Sequence, residues 1–388
     1  MTCMRSKLLL TFAAAISMCS LLASMNAAAA ELLIGRIGSL KSPISSPSTT
    51  AAAEGFDLYV KRINDAGGVN GQKLRVVFRD DEFKPPMVLA SAIELIEKEK
   101  VVALVSLQGT PGTAGLIKEG TLTASQIALV GPFTGDGKVL SAANVFTLRS
   151  TYEDEIVALA RQMKAVGQKR VAYFYYNTSQ GPLFAPTFEK IIKDAGLDYA
   201  GAVGFEMNAA EDAQVQLIKQ AAAKVAALKP DAVFTFAVGP SFPMAMRSLL
   251  EASGKGVTRY TFSINNWEGL VKRIGEPEAS GVVFSQAVPY PYSNNRQIVR
   301  EYQADIKKLA PEQKINFAGL EGYMTAKVLV EALRRAGANP GREKVLNSLQ
   351  SLGRFDLGDH IVNYSPSQRR VEPAVDVTIV SRDGKLRK

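Results

Sequence analysis

The chain is poor in the residues that most often do covalent or metal chemistry. It has one histidine, His360, and two cysteines, Cys3 and Cys19. A serine hydrolase would need that imidazole beside a nucleophile on a sharp strand-to-helix turn, and no G-x-S-x-G occurs. Both cysteines fall in the first 30 residues, and with one histidine most cysteine, histidine and zinc chemistry is excluded. His360 stands between Asp359 and Ile361 in a late strand and is expected to be a surface or edge residue. Asp80-Asp81-Glu82 has no spaced partner ligands and reads as a solvated or helix-capping turn rather than a metal site. No catalytic residue, metal or cofactor is expected.

Two glycine- and hydroxyl-rich loops offer binding instead. Gln108-Gly109-Thr110-Pro111-Gly112-Thr113-Ala114-Gly115 follows one apolar run, and Gly131-Pro132-Phe133-Thr134-Gly135 follows the next. Unpaired N–H groups at a helix start, the positive end of its dipole and a threonine hydroxyl together make an anion seat. A carboxylate fits such a seat without a cationic side chain. The spacing Gly109, Gly112, Gly115 is not G-x-G-x-x-G, and no phosphate loop ending in Lys-Ser or Lys-Thr is present, so nucleotide binding is not expected. The plainer alternative, glycines that only ease a tight turn, stays open.

These loops need a scaffold that brings them together, and the alternation of patterns supplies one. Apolar runs at 32–37, 74–78, 101–107 and 127–130 read as strands; the stretches 50–66, 87–100 and 113–124 between them read as helices. The 101–107 run is almost continuously apolar, as a strand buried on both faces requires. The rhythm restarts after Arg149. Helices at 152–166, 183–195, 211–228, 242–253 and a short one ending near Gly275 alternate with strands at 170–176, 199–205, 232–238, 259–264 and 282–288. Three helices follow, at 295–309, 316–336 and 342–351, then strands at 359–364 and 374–381 that are expected to pair antiparallel. Two successive βα series predict an α/β protein of two doubly wound lobes, with ligand held beyond the carboxyl ends of the strands. A chain of 388 residues is long enough for two cores at about 150 residues per domain.

The N-terminus reads as a cleavable leader over residues 1–30. Arg5 and Lys7 precede an apolar run at 8–16, and Ala28-Ala29-Ala30 offers small residues for cleavage before Glu31. A retained anchor is the rival, since residues 8–25 carry no charge. Acylation at Cys19 is disfavoured by Met18, which is bulky where a small residue is expected. Cleavage would remove both cysteines and two positive charges, lowering the net charge from +9 to +7. The remaining cations are spread rather than blocked, so nucleic acid is not an expected partner.

Longer stretches carry a family resemblance. EGFDLYVKRINDAGGVNGQKLRVVFRDDEFKP (residues 54–85), FTLRSTYEDE (146–155), QAVPYPYSNNRQIVREYQ (286–303), FAGLEGYMTAKVLVEALRRAG (317–337) and FDLGDHIVNYSP (355–366) resemble the branched-chain amino-acid-type periplasmic binding proteins of ABC importers. The resemblance implies the type I fold, with two lobes joined by three crossing segments near Ser150, at 288–292 and at 353–358. It implies that residues 31–149 with 290–353 form lobe 1, and 150–289 with 354–388 lobe 2. The family's first-lobe carboxylate loops fall on Gly109 and Thr110 and on Phe133 and Thr134. Its second-lobe contacts fall on Asn177 and Gln180 and on Asn265 and Asn266. Gln180 takes the place of a ligand-covering tyrosine, and the two asparagines stand where amino-acid binders carry an acid for the α-ammonium. The implied role is a monomeric periplasmic protein, not an enzyme, that passes a small carboxylate ligand to an inner-membrane permease. A sensor protein of the same fold is the alternative. The ligand is left as either a branched-chain amino acid or an acid without an ammonium group, aromatic acids included.

Overall fold

The computed structural model describes residues 31–42, 46–177, 180–208, 210–367, 369–372 and 374–388. The expected leader lies outside these residues. Among the described residues no helix is long and apolar enough to cross a membrane.

Five parallel strands form the first sheet: β1 (Leu32–Gly38), β2 (Leu74–Asp80), β3 (Ala103–Val105), β4 (Leu129–Val130) and β5 (Val145–Phe146). They lie in the order β2-β1-β3-β4-β5. A second parallel set repeats that winding. It contains β6 (Arg170–Tyr176), β7 (Asp198–Phe205), β8 (Ala232–Phe236), β9 (Thr258–Thr261) and β10 (Val283–Gln286), in the order β10-β9-β8-β6-β7. Side chains alternate between the faces, as strand geometry demands. Ala103 and Val105 enter one core of the first lobe and Leu104 the other. Ala172 and Phe174 face one core of the second lobe, Val171 and Tyr173 the opposite one.

The late helices Gln297–Leu309, Phe317–Ala336 and Arg342–Gln350 pack into the first lobe's larger core through Ile298, Leu320, Tyr323 and Leu349. The long Phe317–Ala336 helix lies against the Ser46–Asp65 helix at glycine contacts. A Cβ at Gly55 would stand 1.8 Å from the Gly319 carbonyl oxygen, and one at Gly322 would stand 1.9 Å from that of Ala52. No larger residue allows the two backbones this close.

The tail departs from the sequence-based division. β11 (Gly353–Asp356), β12 (Ile361–Tyr364) and β13 (Arg369–Val371) form their own antiparallel sheet, and Leu357, Val362 and Tyr364 are buried in the first lobe's core. Residues 354–371 therefore go with lobe 1, not lobe 2. Only β14 (Asp376–Val380) and β15 (Leu386–Arg387) join the second sheet, antiparallel at the edge beyond β10. The expected pairing of 359–364 with 374–381 does not occur, and the third crossing lies between Val371 and Asp376. His360 is also not at the surface. It is 3% exposed, and its Nε2 lies 3.0 Å from the Leu148 carbonyl oxygen. Burial pushes its pKa down to about 4.

Candidate ligand site between the lobes

The loop after β3 becomes a helix one turn earlier than its pattern predicts, so Thr110 is the first residue of the Thr110–Lys118 helix. Gly109 precedes it with φ 85°, and a Cβ there would meet the Phe83 ring at 2.8 Å. Glycine is thus required on two counts. The first-turn amides of Thr110 and Gly112 have no partner within the helix, while Pro111 has no N–H to leave unsatisfied. The β4 loop is tied alongside, because the Phe133 N–H donates to the Leu107 carbonyl at 2.8 Å and Gln108 bridges Phe133 in parallel register.

Thr110 and Thr134 meet at 2.7 Å between their hydroxyl oxygens. Thr134 Oγ1 accepts from the Asp136 N–H at 3.2 Å, and either threonine hydroxyl can be the donor in the bond between them. With Thr134 as the donor, the Thr110 hydrogen is left for a ligand. Thr110 borders the interlobe cavity; Thr134, 1% exposed, stands behind it.

The cavity encloses about 620 Å³ between the strand ends of the two lobes. Phe83 and Phe133 line it from the first lobe; Tyr152, Tyr176, Phe236 and Phe242 line it from the second. Of the residues expected at the site, Gly109, Thr110, Phe133, Gln180, Asn265 and Asn266 border it. Asn265 gives its Nδ2 hydrogens to the Ala237 carbonyl at 2.9 Å and Thr261 Oγ1 at 2.8 Å, leaving Oδ1 for a ligand. Asn266 caps the Trp267–Ile274 helix by accepting from the Gly269 N–H. Asn177 does not reach the cavity; its exposed amide donates to Glu206. Thr178 and Ser179, which complete that expected loop, lie outside the described residues.

Several lining residues escaped the sequence reading. Gln108 is 4% exposed and borders the cavity with its Nε2 unpartnered. Tyr152 also opens a helix, which Thr151 and Asp154 hold with reciprocal capping bonds. Burial raises its phenol pKa to about 12, so it stays neutral. Glu211 and Arg273 line the cavity as an ion pair. The available signal was an aromatic residue at the carboxyl end of two strands that neighbour each other in the sheet, Tyr176 on β6 and Phe236 on β8. Such residues read equally well as ordinary core.

Comparison with known proteins agrees with this architecture. The family model described as periplasmic binding protein matches residues 31–385. Leu/Ile/Val-binding protein homolog 3 of Brucella melitensis is 25% identical over 363 residues, spanning 91% of this chain and 92% of the relative. A substrate-binding periplasmic protein from Ralstonia solanacearum superposes with a TM-score of 0.83 at 25% identity, covering 92% of this chain and 99% of that one. A solute-binding protein of an R. palustris ABC transporter, solved with 4-hydroxybenzoate, has a TM-score of 0.76 at 21% identity, covering 92% and 95%. At that identity the likeness is one of fold.

Proposed function

This chain belongs to the periplasmic binding protein family, in its type I branch of the branched-chain amino-acid type, and from that membership we propose the following role. The protein captures a small acid in the periplasm, after export through the 1–30 leader, and hands it as a monomer to the permease of an ABC importer. It carries its ligand unchanged. The acid lacks an α-ammonium group and is aromatic or otherwise largely apolar.

One observation carries the ligand reading: six aromatic rings surround a donor-rich end at Gln108 and Thr110, and the acid that lines the cavity, Glu211, is bound to Arg273. An amino acid's ammonium would have to share Glu211 with Arg273 or rest on a neutral acceptor such as Asn265 Oδ1, and a charge held that way recovers less of its lost hydration. A carboxylate meets no such conflict. It takes the Thr110 hydrogen and the first-turn amides, and its apolar body packs on the rings. The fold neighbour from R. palustris shows only that such a cleft accommodates an aromatic acid.

Capture follows from the two-wall geometry. Thr110 and Phe133 belong to one lobe, Tyr176 and Asn265 to the other, so a ligand touching both favours whichever lobe angle makes both sets of contacts. The lobe surfaces so arranged are what the permease reads.

A second reading has its own support. The Brucella relative is named for leucine, isoleucine and valine, and Glu211 would serve as the ammonium partner. Calorimetric titration decides between them, using benzoate, phenylacetate and 4-hydroxybenzoate against leucine and valine. Submicromolar binding of an aromatic acid with silent leucine and valine supports the proposal; the reverse pattern overturns it.

A further inference from the structure

Behind the aromatic wall lies a cation that ligand capture has not yet used. Arg149, on the first crossing segment, has a side chain only 1% exposed. Its guanidinium sits 4.7 Å from the centre of the Phe133 ring, which borders the ligand cavity. Its Nη2 donates to Ser263 Oγ at 2.5 Å. Ser263 belongs to the second lobe and directly precedes Ile264, Asn265 and Asn266, which line the opposite wall. The Ser263 N–H and hydroxyl both donate to the Glu155 carboxylate at 2.9 Å, and Ser285 Oγ reaches the same carboxylate at 2.5 Å. On the other side, Arg149 Nη1 stands 3.8 Å from Glu321 of the Phe317–Ala336 helix in the first lobe.

We propose that Arg149 is a positioning residue for capture, a pin at the hinge that fixes the Phe133 wall of one lobe relative to the Ser263–Asn266 wall of the other. Three properties make it suited to this. An enclosed guanidinium cannot leave its partners without standing unpaired in a dry site. Its planar fork holds direction more rigidly than a lysine would. Close to a rotation axis the lobes shift little, so a short bond there survives closure and defines the axis. The lobe angle and the spacing of the two ligand walls are then set together. The inference rests on the two-lobe fold and holds whichever acid is bound.

Ser263→Ala removes the bond between the lobes while leaving Arg149 under Phe133 and beside Glu321; a thermal melt checks that the variant folds. Small-angle X-ray scattering of the ligand-free protein is expected to show a broader distance distribution than wild type, and Ser263→Thr, which keeps the hydroxyl, is expected to restore it. With benzoate as probe, Ser263→Ala, which removes a hydroxyl bonded to both Arg149 and the Glu155 carboxylate, should release ligand at least about fivefold faster. Combined with Phe133→Leu, the losses should be non-additive, because Arg149 joins the two walls. A Ser263→Ala scattering profile superposable on wild type, or additive losses in the double variant, overturns the pin. If the wild-type protein takes none of benzoate, phenylacetate and 4-hydroxybenzoate, the aromatic-acid reading fails by itself, and the scattering comparison alone upholds or overturns the pin.

Discussion

The Thr134 hydroxyl meets that of Thr110, 2.7 Å away on a neighbouring loop, and does not border the cavity. Asp136 N–H, Thr134 and Thr110 thus form a chain whose last hydroxyl borders the cavity and, when Thr134 donates, turns its hydrogen to the ligand. Such chains strengthen as each bond polarises the next. Thr134→Val, nearly the same size, should weaken binding of the acid about five- to tenfold although it touches no ligand, with Thr110→Val costing at least as much. Thr134→Ser should bind as wild type. Calorimetry with benzoate measures all three, and unchanged affinity in Thr134→Val would remove the relay.

Glu211 separates the two ligand readings. If the ligand has no ammonium group, Glu211→Gln removes one half of a part-exposed rim ion pair and should alter benzoate affinity by no more than about twofold. If an amino acid is bound, the same change should abolish leucine binding. Parallel titrations with the two compounds give the answer.

The contact between the Ser46–Asp65 and Phe317–Ala336 helices leaves no room for a methyl group. Gly55→Ala or Gly322→Ala should destabilise the protein by about 3 kcal/mol, the upper part of the overpacking range, because backbone on the facing helix cannot turn aside as a side chain would. The denaturant midpoint measures this. Gly71→Ala is not an equivalent control despite its open surroundings, since its φ of 81° adds its own strain.

His360 makes stability depend on acidity. Folded, its pKa is held near 4 by burial, whereas the unfolded imidazole titrates near the ordinary 6.5. Between these values the unfolded chain holds a proton that the folded chain refuses, so stability falls as pH falls through that window. The loss at its lower end is on the order of 3 kcal/mol. Burial raises the carboxyls of Glu155 and Glu321, which act in the opposite sense. His360→Gln isolates the histidine: its melting temperature should drop less than that of wild type between pH 6.5 and 4.

Much of the architecture was legible in the sequence. The runs at 101–107 and 127–130 are apolar because β3 and β4 are covered on both faces, and the glycines after them mark where the backbone turns toward a ligand. Those are local properties, and local patterns record them. Asn177 was misplaced because a loop position does not disclose which way its side chain leaves the strand. Residues 354–371 were assigned to the wrong lobe because an alternating strand pattern reveals that one face is buried without revealing against which core.

Sequence alone determined the element types, the repeated winding and the two loops that end at the cleft. It could not place Arg149 beneath Phe133, join it to Ser263 114 residues away, or make His360 a buried neutral donor. Those relations pair residues distant along the chain. They arise only when the chain packs and excludes water, which is also when an ordinary charge or imidazole acquires its role.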